Sequence, residues 1–316
     1  MRRGARAVWV GVALLTGCTR EAPAPAAQPI IDMHLHAFAY DAYGLPAPPN
    51  EVTGRVPRYA SDTSAMRATF DTLRHYRIVR AVASGPLADV RRWRAANPTV
   101  IMGGAYTGPR DTLPAVAILD GLFAAGELQV LGELGLQYRG LSPSAPELAP
   151  YWALAAARKV PVAVHTGLGD TGTPFGCCPT FRARLGNPLL LEDVLAQHPG
   201  LRVDVMHAGY PFLAETKALL TIYPDVYVDL GVLSWALPRA EFQAYLKALV
   251  DAGFANRVMF GSDQMVWPEA IGLAIAGINE AAFLTAAQRR AIFYDNAARF
   301  LRLTPAEIAR DQAAAR

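Results

Sequence analysis

Residues 30–38 read IIDMHLHAF, an apolar run that closes on His34 and His36. Alternate side chains of a strand point to the same face, so two histidines one residue apart project together. The run is nearly continuous rather than alternating with polar residues, which is the pattern of a strand covered on both faces, as in parallel sheets flanked by helices. Similar short runs occur at Ile78–Ala83, Thr99–Gly103, Leu128–Gly132, Val160–Val164, Leu201–Met206, Val226–Leu230 and Arg257–Phe260. Between them lie helix-period stretches over 63–76, 87–96, 113–125, 145–158, 189–197, 212–222 and 239–252, many closed by Gly or Pro. Eight such units predict the α/β class and a (β/α)8 TIM barrel, one catalytic domain over residues 30–316. An open doubly wound sheet is the rival, but no glycine-rich phosphate loop follows any of the runs.

The polar residues fall at one end of these strands. His34 and His36 end the first, Glu133 the fourth, His165 the fifth, His207 the sixth and Asp263 the eighth. That is the rim on which barrel enzymes assemble their chemistry. Neutral imidazoles and carboxylates suit zinc and related transition metals and leave positions open for water. Burying this many ionisable groups without a cation is costly, which argues for metal a second time. Two ions bridged by a carboxylate could hold a hydroxide between them.

Taken together these features resemble the amidohydrolase superfamily. HTG at 165–167, HAGYP at 207–211, the stretch GNPLLLEDVLAQHPGLRV at 186–203 and RVMFGSD at 257–263 are similar to its amidohydrolase-related (amidohydrolase 2) branch. That branch also contains aminocarboxymuconate semialdehyde decarboxylase and related lactonases. YDNAARFLRL at 294–303 resembles its closing helix. The resemblance implies that His34 and His36 hold a first divalent metal, completed by Asp263, which also takes a proton from the attacking water. It implies a ligand role for His165. His207 would ligate a second ion, or polarise substrate and assist proton transfer in a one-metal version. GELGLQY at 132–138 resembles the GEIGLDY element of TatD-type nucleases, where the glutamate bridges two metals, so Glu133 is expected as a ligand. The alternative for Glu133 is a hydrogen bond to a ligand from outside the coordination sphere. The implied activity is hydrolysis of an amide or a lactone or ester carbonyl in a small substrate, with one or two ions, zinc foremost. A one-metal decarboxylase is the chief alternative; a TatD-like nuclease and a non-catalytic metal- or metabolite-binding protein are others.

Other residues carry weaker readings. Asp32 either braces a ligand or pairs outside the barrel, and Asp229, ending the seventh run, is a candidate to support a ligand. His75 and His198 read as surface residues. Two long loops, 37–61 and 166–188, are candidate lids. Arg139, Arg182 and Arg184 could pair with a substrate carboxylate or stand solvated, and Trp235 and Trp267 could line a pocket or pack in the core. Cys177 and Cys178 are adjacent and form either a vicinal disulfide or two separate thiols.

The first 17 residues carry Arg2, Arg3 and Arg6, then an apolar run from Ala7 to Leu15 that is too short to span a membrane. Leu15-Thr16-Gly17-Cys18 resembles the bacterial lipobox, so 1–17 reads as a lipoprotein signal peptide, and Cys18 as the lipid-bearing first residue of an exported, membrane-anchored protein at the periplasmic face. Residues 18–29 read as an Ala/Pro-rich tether. The chain has 30 basic and 27 acidic residues; without the three arginines of 1–17 the mature balance is zero, which argues against nucleic acid as a partner. Cys18→Ala is expected to move the protein from the membrane to the soluble fraction, checked by cell fractionation and immunoblotting.

Overall fold

The computed structural model describes residues 28–109 and 111–315. The expected signal peptide, Cys18 and the tether up to Ala27 lie outside them. The eight strands are β1 (Ile30–His36), β2 (Ile78–Ser84), β3 (Ile101–Gly103), β4 (Leu131–Leu134), β5 (Val162–His165), β6 (Val203–Met206), β7 (Val226–Asp229) and β8 (Val258–Met259). They pair in parallel and in chain order, β1 to β3 and β4 to β8. Single bridges join the two groups: Gly104 to Val130 and Thr107 to Leu134 on one side, Leu35 to Gln264 on the other. The sheet therefore closes into the expected TIM barrel.

Several strands start a residue or more later than their apolar runs, and two differ at the rim in ways that bear on the site. β4 runs through Glu133 instead of stopping at Gly132, with its register to β5 shifted between Leu131 and Leu134. Gly132 makes this possible: its φ is +153°, and a Cβ there would lie 2.3 Å from the Ala163 carbonyl oxygen. β8 has only two residues, after which the chain crosses to β1; the Asp263 amide donates to the His34 carbonyl at 2.7 Å and the His36 amide to the Gln264 carbonyl at 3.0 Å.

The outer helices are α1 (Asp62–His75), α2 (Leu87–Ala96), α3 (Val116–Ala124), α4 (Ala149–Arg158), α5 (Glu192–Gln197), α6 (Leu213–Ile222), α7 (Leu233–Ala236), α8 (Arg239–Asp251) and α9 (Glu269–Asn279). Ser61 and Ser64 cap α1 reciprocally, and Met66 and Leu73 of its buried face join the core. α3 starts three residues later than its apolar pattern suggests, because Pro114 disfavours helical backbone at Leu113 before it.

The chain closes with α10 (Ala286–Arg290), a wide π turn (Ala291–Asp295), α11 (Asn296–Phe300) and α12 (Pro305–Ala314). These pack across the N-terminal mouth. Asn296 donates to the Val258 carbonyl at the start of β8, and Arg202, just before β6, donates to the Phe300 carbonyl. A cluster of Ile31, Met33, Ala163, Met206, Tyr227 and Met259 with Tyr294 and Phe300 joins residues from five strands to the closing helices, which places it in the lumen. Arg80 of β2 donates through Nε to Asp311 of α12 at 2.7 Å, and the Tyr294 hydroxyl donates to the same oxygen at 2.8 Å. Asp311→Asn removes the nearer of the two carboxylates paired with the mostly buried Arg80, leaving Glu307 at 3.8 Å, and is expected to cost about 2 kcal/mol of stability, read from the urea midpoint.

Candidate metal centre

The strand ends bring His34, His36, Glu133, His165, His207 and Asp263 into one cluster, none more than 8% exposed. Three groups of donor atoms each lie within 4.8 Å of one another: His34, His36 and Glu133; Glu133, His165 and His207; His34, His207 and Asp263. His36 Nε2 is 3.2 Å from Glu133 Oε2 and 3.0 Å from Asp263 Oδ1. On the other side of the same carboxylate, His165 Nδ1 is 2.7 Å from Glu133 Oε1.

The imidazoles are turned by contacts behind them. His34 Nδ1 donates to Asp229, 3.2 Å from Oδ2, and His207 Nδ1 donates to the Gly231 carbonyl at 3.1 Å. His165 Nε2 donates to the Leu168 carbonyl at 3.4 Å, and Ser84 Oγ lies 3.3 Å from His36 Nδ1. With those protons directed outward, His34 Nε2, His207 Nε2 and His165 Nδ1 are the nitrogens left to offer lone pairs to a cation. His34 Nε2 is buried without a hydrogen-bond partner. His207 Nε2 and His165 Nδ1 face each other at 2.9 Å. Two lone pairs cannot satisfy one another, whereas a cation satisfies both. The donor set therefore fits a divalent metal.

Charge in the cluster follows the same logic. Burial opposes ionisation of Glu133, but the imidazoles of His165, His207 and His34 packed against it outweigh that and hold the carboxyl well below the usual range. Burial likewise works against charge on Asp263, and the His34 charge and the His36 hydrogen bond overcome it. On His34 burial disfavours protonation, yet Asp263 and Asp229 together raise it well above the ordinary imidazole value, so with no ion bound the ring holds a second proton on Nε2 that a metal would displace. The carboxylates thus stay anionic at neutral pH.

Backbone at the rim is specialised. His207 and Asp263 hold left-handed conformations, φ 58° and 52°, which non-glycine residues adopt only when their surroundings enforce it. A Cβ on Gly231 would lie 2.4 Å from His34 Nδ1, and one on Gly261 2.7 Å from His34 Cβ.

A family model described as Amidohydrolase matches residues 31–303. The chain belongs to the amidohydrolase family. Protein fluG of Emericella nidulans is 29% identical to this family member over 114 residues, 36% of the chain and 12% of that protein's length. A solved structure of a probable 2-pyrone-4,6-dicarboxylic acid hydrolase from Acinetobacter baumannii, with citric acid bound, aligns with TM-score 0.59 at 15% identity, over 87% of this chain and 100% of the other. A dihydroxybenzoic acid decarboxylase from Polaromonas sp. JS666, with bound manganese and the inhibitor 2-nitroresorcinol, aligns with TM-score 0.59 at 14% identity, over 89% of this chain and 99% of the other. At such identities the shared property is the barrel. The amidohydrolase-family chain thus has structural relatives among both hydrolases and decarboxylases.

Several readings resolve. Asp32 braces the rim: its Oδ1 accepts the His34 and Ser262 amides at 3.1 and 2.9 Å. Asp229 is central, accepting from His34 and, at 2.6 Å, from the Gly231 amide. Trp235 is core, donating to the Ser262 carbonyl, while Trp267 packs 5.6 Å from Tyr43 near the mouth. Cys177 and Cys178 form a vicinal disulfide. Arg139, Arg182 and Arg184 are exposed, and Arg182 spends its guanidinium on the Pro179 and Phe181 carbonyls, which does not support pairing with a substrate carboxylate. His75 is exposed and His198 half-buried.

Sequence reasoning missed Asp204 and the aromatic wall. Asp204 is fully buried, and burial with the neighbouring Asp229 charge pushes its carboxyl well above the usual range, so it sits neutral behind the site. Its signal was available: an acid inside the apolar run LRVDVM. Phe38 stacks on His36 with ring centres 4.5 Å apart, Tyr106 meets both rings edge-on, and Tyr138 meets His165 edge-on at 5.0 Å. Burial first, then the Glu133 charge, raises the Tyr106 and Tyr138 hydroxyls, keeping them neutral donors. Asp229→Asn, which weakens the hold on His34, is expected to lower metal affinity about 10–100-fold with the fold retained, measured by chelator competition and circular dichroism.

Proposed function

We propose that this protein is a metal-dependent hydrolase that cleaves an amide, lactone or ester carbonyl in a small substrate. The observation that carries this reading is the position of Glu133: Oε2 faces His34 and His36 at 3.5 and 3.2 Å, and Oε1 faces His165 at 2.7 Å. One carboxylate with its two oxygens turned to two imidazole groups is the geometry of a bridge between two cations. His34, His36 and Asp263 would hold the first ion, His165 and His207 the second, and Glu133 both. Zinc or a relative such as manganese, if held by these residues, would lower the pKa of a bound water and polarise the carbonyl oxygen.

The chain's own groups do the rest. The Asp263 carboxylate, anionic and fixed by its left-handed backbone, accepts the proton of the attacking water and returns it to the leaving oxygen or nitrogen. Asp229 keeps the His34 proton on Nδ1, so that Nε2 stays a donor to the ion. Tyr106 and Tyr138 offer neutral hydroxyl donors, and with Phe38 they provide ring faces for the organic part of the substrate. LTGC at 15–18 supports placing this activity on a lipid-anchored protein exported to the periplasmic face.

A one-metal decarboxylase is the second reading. It is favoured by the manganese-bound decarboxylase among the structural relatives and by the triad of His34, His207 and Asp263, which needs no Glu133. Metal analysis separates the two. Two ions per chain, falling to one in Glu133→Gln together with loss of turnover on an ester, lactone and amide panel, are the results expected for the hydrolase. A single ion in the wild type, unchanged in Glu133→Gln, with CO2 release from an aromatic acid, overturns it. Asp263→Asn is expected to lower kcat about 10²–10⁴-fold in a steady-state assay of the hydrolysed substrate.

A further inference from the structure

The end of the barrel opposite the candidate metal centre carries a second concentration of charge, of the other sign. A cavity of about 400 Å³ opens at the N-terminal mouth, lined by Arg80, Arg94, Lys159, Arg202 and Arg302, with Glu307 as its acid. Ion pairs account for one of these cations. Arg80 lies 2.7 Å from Asp311 and 3.8 Å from Glu307. Among the described residues, none of the other four has a carboxylate at salt-bridge distance.

Arg202 is 7% exposed. Its two terminal nitrogens donate to the Phe300 and Lys159 carbonyls, which fill hydrogen-bond needs but bring no countercharge. Burial, with repulsion from Arg302, lowers its pKa to about 10. Arg94 donates to the Gly126 and Glu127 carbonyls, and its Nε is buried with no partner. A buried guanidinium with only the more distant Asp225 acting on it and no carboxylate at ion-pair distance is costly, and like charges gathered round one cavity repel. An anion in the cavity relieves both.

We propose that this cavity is a binding site for a phosphate group, carried by a soluble phosphate ester or by a phospholipid headgroup. A polyvalent oxyanion matches several unpaired cations better than a single carboxylate does, and guanidinium forks and an ammonium are the side chains that recognise phosphate. The site is separate from the candidate metal centre, so it holds or localises the protein's ligand and takes no part in bond cleavage.

The test compares the full chain with its Lys159→Gln/Arg302→Gln variant. Both side chains are exposed and make no hydrogen bond in the structure, so the variant is expected to fold and keep its metal content. Inorganic phosphate, against chloride at equal ionic strength, is expected to raise Tm of the wild type by about 2–4 °C, with apparent affinity about tenfold weaker in the variant. Flotation with phosphatidylglycerol or phosphatidylcholine vesicles distinguishes the sources. A phosphate response without vesicle preference supports a soluble ester; a preference for phosphatidylglycerol lost in the variant supports a headgroup. An equal phosphate response in wild type and variant, or neither a phosphate response nor a vesicle preference in the wild type, overturns the proposal.

Discussion

Four imidazoles and the carboxylates of Glu133, Asp263 and Asp229 are buried together at one end of a barrel, and the rest of the structure is arranged around that burial. Removed from water, a lone carboxylate takes up a proton instead of staying charged. Here Glu133 and Asp263 are held anionic by the imidazoles that touch them, and each imidazole is oriented from behind by Asp229, a backbone carbonyl or Ser84. Asp204 shows the other outcome: burial first, then the Asp229 charge beside it, outweighs the pull of His34 and pushes its carboxyl well above the usual range.

Holding seven such groups within a few ångströms asks for backbone that ordinary strands do not provide. Gly132 lies flush against β5 so that Glu133 can turn into the lumen, and Gly231 and Gly261 leave the space that the His34 ring occupies. His207 and Asp263 sit in left-handed conformations of a kind that concentrates at functional sites. The shortness of β8 belongs to the same set of concessions. Regular pairing ends at Met259 so that Asp263 can cross to β1, where its amide meets the His34 carbonyl. Stability is recovered at the opposite mouth, where α10 to α12 are tied to the strand starts through Asn296, Arg202 and Asp311.

The fold was legible because each buried strand writes a short apolar run and each helix a 3.6-residue stripe, and both signals are local. The rim residues were legible for a related reason: a histidine or acid closing an apolar run is visible without knowing its neighbours. Asp229 could be read only as a candidate, since its value comes from touching His34, 195 residues away. Tyr106 and Tyr138 follow β3 and β4 in loops whose sequences carry no period, and nothing local distinguishes them from surface tyrosines. The apolar run behind β4 stops at Gly132, yet Glu133 could still be read as closing that strand, which in the structure ends one residue later at Leu134.

The N-terminal mouth was illegible for the same reason, and its consequence is larger. Its cations come from residues 80, 94, 159, 202 and 302, from strand, helix and loop alike, so no window of the sequence looks basic. An overall balance near zero argues against a long polyanion, which needs an extended basic track. It does not argue against separated charge. Here Glu133, Asp229 and Asp263 gather at the C-terminal rim and a set of cations without ion pairs at the opposite one. A neutral sum therefore conceals two ends that each favour a counterion: cations where the carboxylates and imidazoles meet, and anions where the guanidinium groups surround open space. Recognition at the metal end then falls to ring faces and neutral hydroxyls, because the arginines near it are turned to solvent and to carbonyls. Under the proposed hydrolase reading, that division would favour uncharged or weakly charged substrates at the C-terminal mouth over polyanions.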